Sequence, residues 1–101
     1  MIVRLHPEVD NDLVEAMEYY EREAVPDLAV EFYAEFRRCS DQLALRPESF
    51  PMTDSGLRRM NLHRFPFHIL FEIVNHSTIE IYVVKHDHRD PAFGTELRRR
   101  R

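Results

Sequence analysis

The sequence has little of what marks several specialised chemistries. Its 101 residues include only two glycines, Gly56 and Gly94, and they stand alone. A phosphate-cradling loop needs several closely spaced glycines, so that class is excluded. The one cysteine, Cys39, rules out an intrachain disulfide and fits a reducing compartment. It falls within a helical pattern and reads as a small packed side chain, not a nucleophile. No serine sits in a glycine-flanked elbow. No apolar run approaches the roughly 20 residues that span a bilayer. The opening MIVRLHPEVDND has no apolar signal core with a small-residue cleavage site. The expected setting is therefore the cytoplasm, with no membrane partner.

What is present describes one folded domain over residues 1–101. Hydrophobic residues make up 44% of the chain, enough for a modest core at this length. The net charge of −4 is unevenly divided. Residues 1–55 carry 13 Asp and Glu against five Arg, whereas residues 56–101 carry five against nine Lys and Arg. An acidic first half and a basic second half suggest that the second half meets something anionic.

Residues 1–6, MIVRLH, read as a strand, which Pro7 ends because it has no N–H for a ladder. Val9, Leu13, Ala16, Met17 and Tyr20 recur at helical spacing, with Glu8, Asp10 and Asp12 in the first turn. A helix is predicted over about 8–23. Val25-Pro26-Asp27 breaks it, and a second helix is predicted over about 27–46. Its apolar stripe contains Leu28, Phe32, Phe36, Cys39 and Leu43. Arg46-Pro47 stops it. So short a link makes the two helices an antiparallel hairpin. The loop 47–56 leads into three strands, about 57–62, 65–74 and 77–85. The basic end, residues 95–101, reads as a frayed tail that adds solubility.

Alternation assigns the strand faces. Phe65, Phe67, Ile69, Phe71 and Ile73 share one side with Ile79, Ile81 and Val83, and the helices are expected to cover it. The other side receives His68, Leu70, Glu72, Glu80, Tyr82, Val84 and His86, and reads as an open binding face. The expected architecture is α+β: an N-terminal strand, then an antiparallel helical hairpin packed on one face of a small, mainly antiparallel sheet. The C-terminal part of that sheet is a three-stranded meander.

Three chemistries are weighed on the open face. Histidine acts as acid or base near neutral pH and arginine binds phosphate in a fork. His68, His86 and Arg89 therefore form the candidate catalytic set of a metal-independent endoribonuclease. Arg58, Arg59, Arg64, Tyr82, Lys85 and His88 are candidates for contact with nucleic acid or another target, with Tyr82 able to stack on a base. His86-Asp87-His88 offers two imidazoles to a metal, but zinc takes three or four protein ligands, so neither metal nor cofactor is expected.

The order and spacing of these elements resemble a known family. A strand, a helical hairpin beginning HPEVDNDLVEAMEYYE, and a meander carrying RRxxLxRFPFxIxFEI and then VxHxxRDP look like the RelE/ParE superfamily of type II toxin–antitoxin toxins. The matching positions include Arg58, Arg59, Leu62, Arg64, Phe65, Pro66, Phe67, His86, Arg89, Asp90 and Pro91. The resemblance implies a bacterial growth-arresting toxin, a plasmid-stabilisation protein, neutralised by a cognate antitoxin. Within the superfamily, RelE-like members are similar to ribosome-dependent mRNA endoribonucleases, and ParE-like members resemble DNA gyrase inhibitors. The RelE-like pattern wants an arginine on the middle strand, where this chain has His68, and a tyrosine near the C-terminus, where none follows Tyr82. The acidic balance also suits RNA poorly. The ParE-like reading is therefore preferred. The RelE-like ribonuclease and an inactive toxin fold that only binds its antitoxin are the alternatives.

Overall fold

A computed structural model describes residues 1–23, 25 and 27–99. The element order is β1 (Ile2–Leu5), α1 (Val9–Arg22), α2 (Leu28–Leu45), a short 3-10 turn at Pro47–Ser49, β2 (Arg58–Asn61), β3 (Phe67–Asn75), β4 (Thr78–His86) and α3 (Glu96–Arg99). The strands form one sheet in the order β1-β4-β3-β2. Strands β2, β3 and β4 make the expected antiparallel meander, and β1 lies parallel to β4 at the other edge. The α+β architecture anticipated from the sequence is the one observed. Of the predicted break between the helices, Pro26 lies outside the described residues, and Asp27 takes a left-handed backbone, φ 67°.

The helical hairpin closes the main core. Val9, Leu13, Ala16 and Tyr20 of α1 and Phe32, Phe36, Cys39 and Leu43 of α2 pack on Met60, Ile69, Phe71, Ile79 and Ile81. Phe32 is at the centre, with ring centroids 5.3 Å from Phe65 and 4.9 Å from Phe67 in edge-to-face contact. Burial pushes the Cys39 thiol up to about 11, which fits the packed role read from the sequence. Phe65 precedes β3 instead of opening it. The Phe67 N–H donates to the Phe65 carbonyl and Leu62 N–H to that of Phe67, so 62–67 is a tight turn. The buried Glu35 of α2 holds this turn by accepting from the Arg64 N–H at 2.9 Å.

Two expectations about the far side of the sheet need correction. Leu70 pairs with Val83 but Phe71 pairs with Ile81, so Tyr82 is an extra residue, a β-bulge. Strict alternation fails there. Val83 turns to the far side, against Leu57, Leu70 and Tyr82, while Val84 joins the main core. His86, opposite Phe67, packs edge-on against that ring at 5.2 Å on the helix side. Nor is the far side open. Phe93 packs on Leu57, Leu70, Tyr82 and Val83, Gly94 lies against Val83, and Thr95 is buried. A side chain at Gly94 would put its Cβ 2.4 Å from Val83 Cγ2, and its φ of 75° suits glycine.

The expected frayed tail is likewise corrected. Arg98 is buried, and its guanidinium grips Asp12 of α1 with two bonds of 2.6 and 2.9 Å. Arg98 Nη1 also donates to the Tyr82 carbonyl at 3.0 Å, and Asp12 Oδ2 accepts from Val84 N–H at 3.1 Å. Arg99 donates to Glu72 and to the Ser55 carbonyl. Arg100 and Arg101 lie outside the described residues. Removing one partner of a buried ion pair leaves the other uncompensated, at a cost of about 3–5 kcal/mol. Asp12→Ala should lower the unfolding free energy by about that amount in a urea titration. The apolar double variant Asp12→Leu with Arg98→Met should recover only part of it, because the Tyr82 C=O and Val84 N–H then lose their partners at about 1–3 kcal/mol each.

Candidate functional site

Arg59, His68, Lys85, His86 and Arg89 gather where β4 runs into the loop 87–91, but in two clefts on opposite sides of the sheet, whereas Arg58, Arg64, Tyr82 and His88 line neither. On the helix side, a cleft of about 280 Å³ is lined by Tyr19, Phe67, Val84, His86, Arg89 and Phe93 among others. On the far side, a cleft of about 220 Å³ lies between loop 53–55 and residues 85–91, with Arg59, His68, Asp87 and Arg89 in its walls.

The register separates the predicted catalytic histidines. His68 pairs with Lys85 and Phe67 with His86, so His68 faces the far cleft and His86 the helix-side cleft. The bulge at Tyr82 is the cause, since without it alternation would carry both to one face. His68 is buried and its Nδ1 lies 2.8 Å from Asp87 Oδ1. Burial lowers its pKa from the ordinary histidine value, and the hydrogen bond to Asp87 opposes that shift. His86 Nδ1 instead accepts from the His88 N–H at 3.1 Å, and the two rings stand 5.4 Å apart. No group of three or more His, Cys, Asp or Glu among the described residues is arranged to hold a metal ion.

The other candidates divide between structural and available cations. Arg58 faces away from the far cleft and donates to the carbonyls of Glu48 and Phe50, fixing the loop before β2. Lys85 is buried, and its ammonium donates to the carbonyls of Asp90, Pro91 and Phe93. Burial lowers its pKa. Tyr82 is buried against the far-side cluster, with its hydroxyl 3.4 Å from Glu72, so it offers no stacking face. Arg64 pairs with Glu31 at 3.3 Å on the exposed rim. Arg59 bonds Asn61 and reaches Asp87 at 3.5 Å. His88 is exposed.

Arg89 differs from all of these. It is exposed, its guanidinium lies 3.9 Å over the Phe93 ring, and that guanidinium has no hydrogen-bond or ion-pair partner among the described residues. Its backbone N–H closes a turn onto the His86 carbonyl, and its side chain lines both clefts. The sequence had singled out Arg89 without any means of ranking it. It had missed Asp87 and Asp12, and the latter carried a signal: a carboxylate between Val9, Leu13 and Ala16 on the apolar stripe of α1 needs a buried partner.

Comparison with known proteins bears on what this geometry serves. The family model described as ParE toxin of type II toxin-antitoxin system, parDE, matches residues 3–91. The chain belongs to the ParE toxin family. Among solved structures, a chain of the chromosomal ParDE TA system from P. aeruginosa is similar at 19% identity. The match covers 85% of this chain and 95% of that one, with a TM-score of 0.74. At that identity the likeness speaks to fold. No curated protein matches the sequence. The ParE-like reading is thus upheld, and the family match spans both the helical hairpin and the 87–91 loop.

The His68–Asp87 contact gives a pH prediction with a definite sign. A lowered folded pKa means the unfolded chain binds the proton more readily. The stability tied to neutral His68 is complete above the unfolded value, about 6.5, and is lost as pH falls through the folded value. Asp87→Asn removes the influences that raise the His68 pKa. An NMR pH titration should find the His68 ring titrating below the ordinary range in the wild type and lower still in Asp87→Asn.

Proposed function

We propose that this ParE-family toxin arrests growth by binding DNA gyrase and that a cognate antitoxin neutralises it. The observation that carries the reading is the family match over residues 3–91. The similar P. aeruginosa chain comes from a ParDE TA system, which agrees with an antitoxin as partner. The site geometry favours action by binding. His68 and His86 face opposite sides of the sheet, so they do not make an acid–base pair across one scissile bond. Arg89 is an exposed cation on the rim of both clefts, without an ion-pair partner among the described residues, and arginine held by an aromatic ring is a common anchor of protein interfaces. No helix among the described residues is long and apolar enough to cross a membrane.

The test is expression of the toxin without its antitoxin, scoring a DNA-damage response against translation arrest. A supercoiling assay on purified gyrase goes alongside. A DNA-damage response and lost supercoiling are expected. Cleavage of mRNA on translating ribosomes with gyrase untouched would replace this reading with the ribonuclease alternative, and the absence of any growth arrest would favour an inactive fold. Arg89→Ala should raise the concentration for half-inhibition of gyrase at least about 30-fold, the lower bound of an interface hot spot, while the unfolding free energy falls by no more than about 1 kcal/mol from the lost contact with Phe93.

A further inference from the structure

The helix-side cleft has features that the gyrase reading does not use. Its walls are mostly apolar. Ala16, Phe67 and Val84 are buried side chains that line it, and Tyr19 and Phe93 stand beside them. Of the charged groups in the lining, Asp12 is taken by Arg98 and Lys85 by three backbone carbonyls. Two others are not taken. Glu15 is exposed and receives only a 3.4 Å bond from the Asn11 amide one turn earlier on α1. The Arg89 guanidinium has the Phe93 ring behind it and no acceptor among the described residues. Glu15 and Arg89 line the same cleft, yet they make no ion pair with each other.

We propose that this cleft binds a free α-amino acid with a large apolar side chain. The side chain lies against Phe67, Val84 and Phe93, the carboxylate meets Arg89, and the ammonium meets Glu15. The two rim charges decide the class of ligand. An anion satisfies Arg89 but is repelled by Glu15, and a cation does the reverse. An uncharged apolar ligand strips water from both charges and leaves neither compensated. A zwitterion answers both. An α-amino acid carries its two charges on one carbon, with the apolar body beside them, and its carboxylate suits the guanidinium fork. Size points the same way. The cleft volume, about 280 Å³, is just under the roughly 300–1,000 Å³ of pockets that enclose a drug-sized molecule. It therefore matches one amino acid and not a nucleotide or a large cofactor. The aromatic rings of Tyr19, Phe67 and Phe93 in its walls favour an aromatic or branched side chain over a polar one. A residue inside a polypeptide has neither terminal charge and a chain terminus has one, so the paired charges select the free amino acid over a docked segment.

The probes are L-phenylalanine, L-leucine, L-serine, N-acetyl-L-phenylalanine, which lacks the ammonium, and L-phenylalanine amide, which lacks the carboxylate. Each is titrated into the ¹⁵N-labelled toxin at pH 7. Phenylalanine and leucine should saturate, with shifts centred on the backbone amides of residues 15–19 and 84–93 and on the Arg89 side chain. Serine should give no saturable shift. Each blocked derivative should bind roughly 3- to 10-fold more weakly than phenylalanine, the worth of one charged contact at an exposed rim. Two variants assign the contacts. Glu15→Gln should weaken phenylalanine by that factor and leave the acetyl derivative unchanged. Arg89→Gln should weaken phenylalanine likewise and leave the amide unchanged. Both side chains are exposed, and the ligand series on the wild type decides the matter by itself if either variant does not fold. Equal affinity for phenylalanine and both blocked forms, shifts centred elsewhere on the surface, or no saturable shift at millimolar ligand would overturn the proposal. Full affinity in one blocked form alone would assign the cleft to a chain terminus and overturn it as well. None of these assays contains gyrase or antitoxin, so failure of the target reading leaves this one standing, and the reverse.

Discussion

The buried pair of Asp12 and Arg98 is the constraint on which the upper half of this molecule depends. The pairing of β1 with β4 ends at the His6 N–H, which donates to the Ile81 carbonyl, because Pro7 has no N–H, and α1 begins at Val9. Beyond that point the outer edge of β4 has no neighbouring strand. Its Tyr82 carbonyl and Val84 N–H would face the interior without partners, at a cost comparable to a lost hydrogen bond each. Asp12 takes the N–H and Arg98 takes the carbonyl, while each neutralises the other. The pair does the work of a missing strand. Burying two charges is expensive, and their mutual attraction adds little beyond that cost; what an apolar substitute cannot supply is the partners of the Tyr82 carbonyl and the Val84 N–H. The value of the pair is geometric: it ties three elements, α1, β4 and α3, to one another through four mutually bonded groups.

The same logic accounts for most of the charge that made the C-terminal half look like a nucleic-acid surface. Arg58 and Lys85 bind backbone carbonyls, Arg98 and Arg99 bind carboxylates from other elements, and Arg4 pairs with Glu80 at 2.6 Å. These cations close loops and secure the C-terminal segment over Leu57, Leu70, Tyr82 and Val83. A basic balance counted along the sequence therefore overstates the charge available to a partner. Exposed ion pairs contribute little to stability, so the free energy of these ties resides in the buried ones, at Lys85 and Arg98. The Arg89 guanidinium is left with an aromatic support and, among the described residues, no acceptor.

Much of the fold was legible in the sequence, because its signals are local. Helical spacing in residues 9–20 and 28–43, prolines at 7 and 47, and alternation from 65 to 73 each reflect one element at a time. The four-strand sheet and its helical cover follow with ends misplaced by one or two residues. The site was less legible because it depends on a register. Whether His86 faces the same way as His68 turns on one inserted residue at Tyr82, and no turn former or glycine advertises that bulge. Arg98 was misread for a related reason. A run of arginines at a chain end has the composition of a tail, and only the unpartnered Asp12 on the buried stripe of α1, 86 positions away, argues otherwise.

That inserted residue connects the structural and functional features. By shifting β4 one step, it turns the Tyr82 carbonyl and Val84 N–H outward to where Asp12 and Arg98 meet them. It sends Val83 to the far side, where it supports Phe93 and Gly94. It sets Lys85 beside His68, so the ammonium reaches the carbonyls of residues 90–93 and folds that segment back across the sheet. Phe93 is thereby held beneath the Arg89 guanidinium. With a regular β4, the two histidines would share a face and the strap would lose its clamp. The bulge thus separates the two histidines and sets Arg89, supported by Phe93, between two clefts.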